Sequence, residues 1–172
     1  MAETKGFMPD DEGEALFRAA VDICRSPVEG PIVEIGSYCG RSTIWLGAAA
    51  QGAGRVVVTV DHHRGSEETQ EGWEHHDPEV MDQRINKMDT LPFLRRALWD
   101  AELEDTVIAV VGASPRVATL WDKEIAMLFI DGGHGAEHAA ADYLSWAHHV
   151  AQGGVLAIHD VFADPVDGGQ AP

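Results

Sequence analysis

The chain has 172 residues, 45% of them hydrophobic and 24% charged, which allows one α/β domain around a single core and leaves too little for two. Its 29 acidic residues against 12 basic ones give a formal charge of −17, so neither nucleic acid nor an anionic membrane is expected as a partner held through the general field of the protein. Cys24 and Cys39 lack CxxC spacing and make no disulfide framework, the acidic start MAETKGFMPDDEGE is not a signal peptide, and no apolar run reaches spanning length; a soluble, cytoplasmic protein is expected.

In chain order, the first predicted element is an amphipathic helix from about Asp10 to Arg25. Leu16, Ala19, Ala20 and Ile23 fall at helical spacing, and acidic residues occupy the first turn, where the helix dipole favours them. Ser26-Pro27 and Gly30-Pro31 end it, and PIVEIG reads as a short strand closed by glycine. STIWLGAAAQG, opened by Ser42 and Thr43, is a helix stopping at Gly52 or Gly54, and VVVTVD, Val56 to Asp61, is the second strand. A polar stretch follows from about 62 to 89, HHRGSEETQEGWEHHDPEVMDQRINKMD, too long for an ordinary connection and read as a lid-like insertion or a partly disordered excursion. DTLPFLRRALWDAEL then gives a helix, TVIAVVG a third strand, and MLFIDG, Met127 to Gly132, a fourth. A helix from Ala136 to about Val150 and a fifth strand, GVLAIHDV, complete the series before a loop-like tail over 163–172. Strands apolar on both faces that alternate with helices predict a single domain over 1–172 with a doubly wound, mainly parallel sheet between helical layers.

In an open parallel sheet, ligands bind beyond the carboxyl ends of the strands. Those ends carry Glu34 with Gly36, Asp61 with His62 and His63, Gly112 with Ser114, Asp131 with His134, and His159 with Asp160. Four of the five bear an ionisable group, where plain turns would favour glycine, asparagine or serine. The turn EIGSYCGRS leads straight into a helix, and Gly36 and Gly40 allow positive φ or a close approach of the backbone to a ligand. Neither GxGxxG nor GxxxxGK[ST] is present, which disfavours a nucleotide held through its pyrophosphate.

VEIGSYCGRST resembles motif I of class I S-adenosylmethionine-dependent methyltransferases: an acidic residue, then glycine, three residues, glycine, and a small hydroxyl residue. Asp61 resembles the acidic residue that hydrogen-bonds both ribose hydroxyls, and FIDGGH followed by AADYLSWAHHVAQGGVLAIHDV is similar to the branch containing small-molecule and sugar O-methyltransferases. The resemblance covers Ile32 to Val161 and implies a Rossmann-like three-layer fold, S-adenosylmethionine as cofactor and a small-molecule methyl acceptor. It implies Gly36, Ser37 and Gly40, with Tyr38 and Ser42 in the same segment, beside the methionine part of the cofactor, and Glu34 steadying that loop or meeting the amino group. It puts Asp61 on the ribose and His62 beside the adenine. Gly112, Ala113 and Ser114 stand where the family often has an acidic residue pairing with the adenine amino group, a place Ser114 would fill.

In the divalent-metal members of this family an aspartate after the fourth strand and an Asp-Asn or Asp-Asp pair after the fifth hold magnesium. Asp131 matches the first and also borders the cofactor site; the pair is replaced by His159 and Asp160. Histidine is a poorer magnesium ligand than oxygen donors, though acceptable to manganese, iron or zinc. Three readings follow for Asp131, His134, His159 and Asp160. They form a divalent-metal site for Mg or Mn, centred on Asp131, His159 and Asp160, or His134 or His159 is a general base oriented by a carboxylate, or Asp131 caps a turn and the histidines merely pair with it. Around them, Trp73 is expected to touch ligand from the lid, Arg64 to pair with Glu67 or Glu68, and His148 and His149 to serve a helix dipole. Trp45, Trp99, Trp121 and Trp146 are expected in the core or an interface. The family's sheet continues through an antiparallel pair that this sequence lacks, so C-terminal strands are expected to be missing and the open edge to be covered in a homodimer. A metal-dependent hydrolase using the His/Asp cluster and a non-catalytic cofactor-binding module remain alternatives at this level.

Overall fold

Strands that are apolar on both faces need cover on both faces, and helices crossing between parallel strands provide it. The computed structural model describes residues 4–66, 69, 72, 76–133 and 135–161. Its elements run α1 (Asp10–Arg25), β1 (Ile32–Ile35), α2 (Arg41–Gly52), β2 (Val57–Asp61), β3 (Met81–Asp82), β4 (Lys87–Met88), α3 (Leu91–Asp100), β5 (Val107–Val111), α4 (Ser114–Ala118), β6 (Ile125–Ile130), α5 (Ala136–Trp146) and β7 (Val150–Ile158). Five strands form one sheet in the order β5-β2-β1-β6-β7, parallel throughout, while β3 and β4 pair antiparallel as a separate hairpin. The central strands β1 and β6 are buried at every residue. Alternate residues enter different layers. Ile32, Val57, Met127 and Phe129 pack with Leu16, Leu46 and Leu94 under α1, α2 and α3. Val33, Ile35, Val58, Leu128 and Ile130 pack with Ala118 and Trp146 under α4 and α5.

The predicted doubly wound sheet is therefore present, with differences at its margins. Helix α5 stops at Trp146, and Ala147–His149 form a 3-10 turn in which the rings of His148 and His149 stack 4.0 Å apart. β7 begins at Val150 rather than Gly154, because the chain bulges within it while pairing with β6. Helix α4 was not predicted: its five residues are too few to show a period. The lid-like segment also carries structure, since Val80, just before β3, and Met88, in β4, are buried against Cys39. Arg64 donates from Nη1 to the Met88 carbonyl at 2.7 Å, whereas Glu67, Glu68 and Trp73 lie outside the described residues. Trp146 is core, but Trp99 is 70% exposed. Cys24 and Cys39 are free and buried, and no described helix is long and apolar enough to cross a membrane.

The turn from β1 into α2 fixes the rest of the site. Gly36 has φ +87°, and a Cβ there would overlap the Asp131 carbonyl oxygen, so the end of β1 lies directly against the end of β6. At its N-terminus α2 has Gly40 in left-handed conformation and no side-chain cap. Glu34, fully buried on β1, supplies the missing tie: Ser42 Oγ and Thr43 Oγ1 each donate to its carboxyl at 2.6 Å. Thr59 Oγ1 lies beside the same carboxyl without completing a bond of good geometry. Burial pushes the Glu34 carboxyl up to about 7, against the pull of the hydroxyls and with a further push from Asp131. A carboxyl held above its usual 4.5 in the folded state contributes stability that is present below 4.5 and lost as pH rises through 7. The stability advantage of the wild type over Glu34→Gln, measured by urea denaturation, is therefore expected to shrink by about 3 kcal/mol between pH 4 and pH 8. A difference that does not vary with pH would mean that this carboxyl titrates as if in water.

Candidate active site

From β1 the chain runs outward to β2 and β5, and from β6 it runs the other way to β7, so a crevice opens between β1 and β6 where the connections diverge. It is a cleft of about 580 Å³. Gly36, Ser37, Tyr38 and Ser42 line it from the β1–α2 side, and Asp61 and His62 from the end of β2. Ala113 and Ser114 enter after β5, Asp131 after β6 and His159 after β7. Ten candidate residues scattered over the sequence thus share one wall-to-wall space. Glu34 and Gly40 do not line it. The first is sealed beneath α2, and the second turns the chain against Leu94. Asp160 does not line the cleft either but lies 3.1 Å from His159 Nδ1, and His134 is outside the described residues.

Asp61 organises the β1–β2 side of the cleft. Its Oδ2 accepts from the backbone N–H groups of Ser37 at 3.0 Å and Tyr38 at 2.9 Å, and from Ser37 Oγ at 3.5 Å. Its Oδ1 accepts from the His63 N–H at 2.7 Å. Tyr38 and His63 both have positive φ, +47° and +59°. Such conformations cost on the order of 1–3 kcal/mol each, and hydrogen bonds to a charged group, about 1.5–3 kcal/mol, offset them. His63 itself is buried, its Nδ1 2.8 Å from Thr90 Oγ1, and burial lowers its pKa, so it stays neutral as part of the frame. His62 is exposed at the rim, its Nδ1 accepting from the Arg64 N–H at 3.0 Å.

On the opposite wall, His159 sits among three carboxylates. Nδ1 lies 3.2 Å from Asp131 Oδ1 and 3.1 Å from Asp160 Oδ2, while Nε2 lies 2.7 Å from Glu12 Oε2 on α1. Asp131 above all, with Glu12 and Asp160, holds the ring protonated and pushes its pKa up to about 10 despite burial. A ring already carrying its proton at neutral pH is a poor general base. Nδ1 is buried, and neither carboxylate is aligned with it for a good hydrogen bond. Asp131, His159 and Asp160 offer ligand atoms within 4.8 Å of one another, a spacing that suits a cation shared by all three.

Several lining residues had no signal in the sequence. Asp142, on α5, is buried and lines the cleft; burial raises its pKa, against the pull of the nearby Ser114 hydroxyl. Ser114 Oγ in turn accepts from Trp146 Nε1 at 2.8 Å. Residues 112–114 lack an acidic group, and α5 provides one from a distance that no local spacing reveals. Gly6, Phe7 and Met8 form a strap along the rim, with the Phe7 ring 5.3 Å from that of Tyr38. Arg41 holds the strap, donating to the carbonyls of Met8 at 2.7 Å and Thr4 at 3.2 Å and to Asp10 at 2.8 Å. Lys5 reaches Asp77 at 2.7 Å. With Arg41 occupied in this way, the carboxylates of Asp61, Asp131 and Asp142 set the sign of the cleft, which favours cationic ligands.

The fold has solved counterparts at low sequence identity. The O-methyltransferase NovP superposes with a TM-score of 0.71 at 21% identity, covering 90% of this chain and 66% of its own. The methyltransferase PaMTH1 of Podospora anserina, bound to S-adenosylhomocysteine, gives 0.65 at 19% identity, covering 96% of this chain and 60% of its own. Cofactor-bound Rv0187 from MTB gives 0.65 at 22% identity, with 91% and 59% covered. The chain thus spans about 60% of the length of such structures. A family model described as "Methyltransferase domain" matches residues 33–161, from the strand bearing Glu34 to the residue after Asp160, and the chain belongs to that methyltransferase-domain family.

Proposed function

We propose that the domain binds S-adenosylmethionine in this cleft and catalyses methyl transfer to a hydroxyl oxygen of a small acceptor. The observation that carries the reading is the meeting, in one crevice, of the Asp61-held loop with the Asp131–His159–Asp160 cluster. The first suits a nucleoside joined to an amino acid, and the second suits an acceptor oxygen. That NovP is an O-methyltransferase and that PaMTH1 was captured with S-adenosylhomocysteine support the reading by analogy.

When bound, S-adenosylmethionine supplies the methyl group as a sulfonium electrophile, a charge that the acidic cleft favours. Among the described residues Asp61 Oδ1 has a single donor, which leaves it capacity to accept from ribose hydroxyls. Ser37, Tyr38 and Ser42 flank the methionine portion. His62 and Ala113 border the adenine, with Asp142 supplying through Ser114 the acidic group absent from 112–114. Glu34, Gly36 and Gly40 act indirectly, by fixing the loop. The mixed nitrogen and oxygen donors of Asp131, His159 and Asp160 fit a divalent ion, Mn better than Mg, and such an ion would supply Lewis acidity to lower the acceptor hydroxyl's pKa. Most of the rate then falls to alignment, which the protein achieves by mounting both half-sites on the ends of adjacent strands β1 and β6.

β7 is an edge strand among the described residues and exposes Leu156, and we extend the reading to a homodimer formed over that edge. Sedimentation equilibrium of the chain at micromolar concentration is expected to give twice the monomer mass; a monomer throughout would reject it. For cofactor binding, calorimetry with S-adenosylhomocysteine is expected to show at least tenfold weaker affinity in Asp61→Ala, on the order of 1.4 kcal/mol or more. Undiminished affinity would remove Asp61 from the site. For the metal, binding requires the His159 ring to give up one proton held up to about pH 10, so Mn²⁺ affinity should rise about tenfold per pH unit between pH 7 and pH 9. An affinity independent of pH over that range would exclude His159 as a ligand.

A further inference from the structure

We propose that Glu12, in the first turn of α1, is a positioning residue that sets which ring nitrogen of His159 faces Asp131 and Asp160. This rests on reading Asp131, His159 and Asp160 as the corner that holds the acceptor and a divalent ion. The two nitrogens of an imidazole point away from each other, so a carboxylate on one side dictates what the other can do. Glu12 Oε2 lies 2.7 Å from Nε2, and Nδ1 is left directed at Asp131 and Asp160. A ligating histidine is usually oriented in this manner, by donating its second ring N–H to a carboxylate that is not itself a ligand. Glu12 is absent from the set of mutually close ligand atoms, as a residue behind the ring should be.

The position of Glu12 is itself fixed by the fold. Its neighbour Gly13 has no side chain because the Trp45 indole of α2 occupies the place a Cβ would take, which seats α1 closely on α2. Two residues earlier, Asp10 accepts from Arg41 Nη2 at 2.8 Å, and Arg41 also holds the Met8 carbonyl. The start of α1 is therefore pinned on both sides of Glu12 to the helix that follows the cofactor loop. On the far side, Phe129 meets the His159 ring edge-on, with centroids 6.2 Å apart, and limits its rotation. The Glu12 side chain is 52% exposed, so solvent weakens its charge; what it provides is direction.

The test uses the full chain with ¹⁵N-labelled histidine, His159→Asn serving to assign the ring signals. The Nε2 proton of His159 is expected to be protected from solvent exchange in the wild type and in Glu12→Gln, whose amide oxygen still accepts, and to be lost to exchange in Glu12→Ala. Mn²⁺ binding, followed by the disappearance of the free-ion EPR signal, is expected to weaken 10- to 100-fold in Glu12→Ala and to recover for the most part in Glu12→Gln. S-adenosylhomocysteine affinity should be unchanged in both variants, which also shows that they fold. If the wild type binds no Mn²⁺ yet the protected proton is lost only in Glu12→Ala, the metal reading fails and the positioning role stands. A protected proton and unaltered Mn²⁺ affinity in Glu12→Ala, or a Glu12→Gln variant as impaired as Glu12→Ala, would overturn the proposal.

Discussion

The Asp61 carboxylate holds two loops that would not otherwise keep their shape. One oxygen gathers the amides of Ser37 and Tyr38, and the other takes the amide of His63. Both loops carry a non-glycine residue in left-handed conformation, and a free chain would relax them. Because β1 and β2 are adjacent and in register, Ile35 against Val60, their ends arrive together and one side chain can serve both. On the β1–β2 side the cleft is the space these two loops leave. The residue that the family resemblance assigns to the ribose is thus also the residue that builds the wall around it.

Much of this was legible in the sequence, for identifiable reasons. Motif-bearing turns are local, so Gly36 and Asp61 could be picked out as strand ends, Gly40 from the turn that follows and Ser42 from the motif that the turn resembles, and the sheet followed from apolar strands alternating with helices of the right length. What escaped detection is non-local. Glu12 and His159 are 147 residues apart in the chain and 2.7 Å apart in space. Asp142 reaches the cleft because α5 packs against α4 with Trp146 buried between the layers, a matter of tertiary packing that periodicity does not report. Glu34 was picked out from the strand end, and its chemistry is turned inward: it accepts from the hydroxyls of Ser42 and Thr43, the two residues after Arg41.

The two walls of the cleft solve opposite electrostatic problems. On the Asp61 side a single carboxylate is satisfied by neutral amides, and its charge remains available. On the His159 side three carboxylates converge, and their repulsion is relieved by one cation, the ring proton. A replaceable proton among oxygen and nitrogen donors is the electrostatic condition for exchange against a metal ion. The protonated His159 ring gives this corner of the cleft a positive charge of its own.

The seating of Gly36 on the Asp131 carbonyl has a consequence for how the molecule assembles. β1 pairs with β2 across a short stretch of chain, but its other neighbour, β6, is drawn from about 95 residues away, as the register of Ile32 with Met127 shows. Contacts of such separation form late, because they carry the larger loop-closure cost. A chain that has made α1, β1, α2 and β2 already contains the whole glycine turn and its aspartate, yet lacks the surface against which that turn closes. Closure of the glycine turn therefore waits on the arrival of β6, and the cleft takes its shape only once that strand is in place.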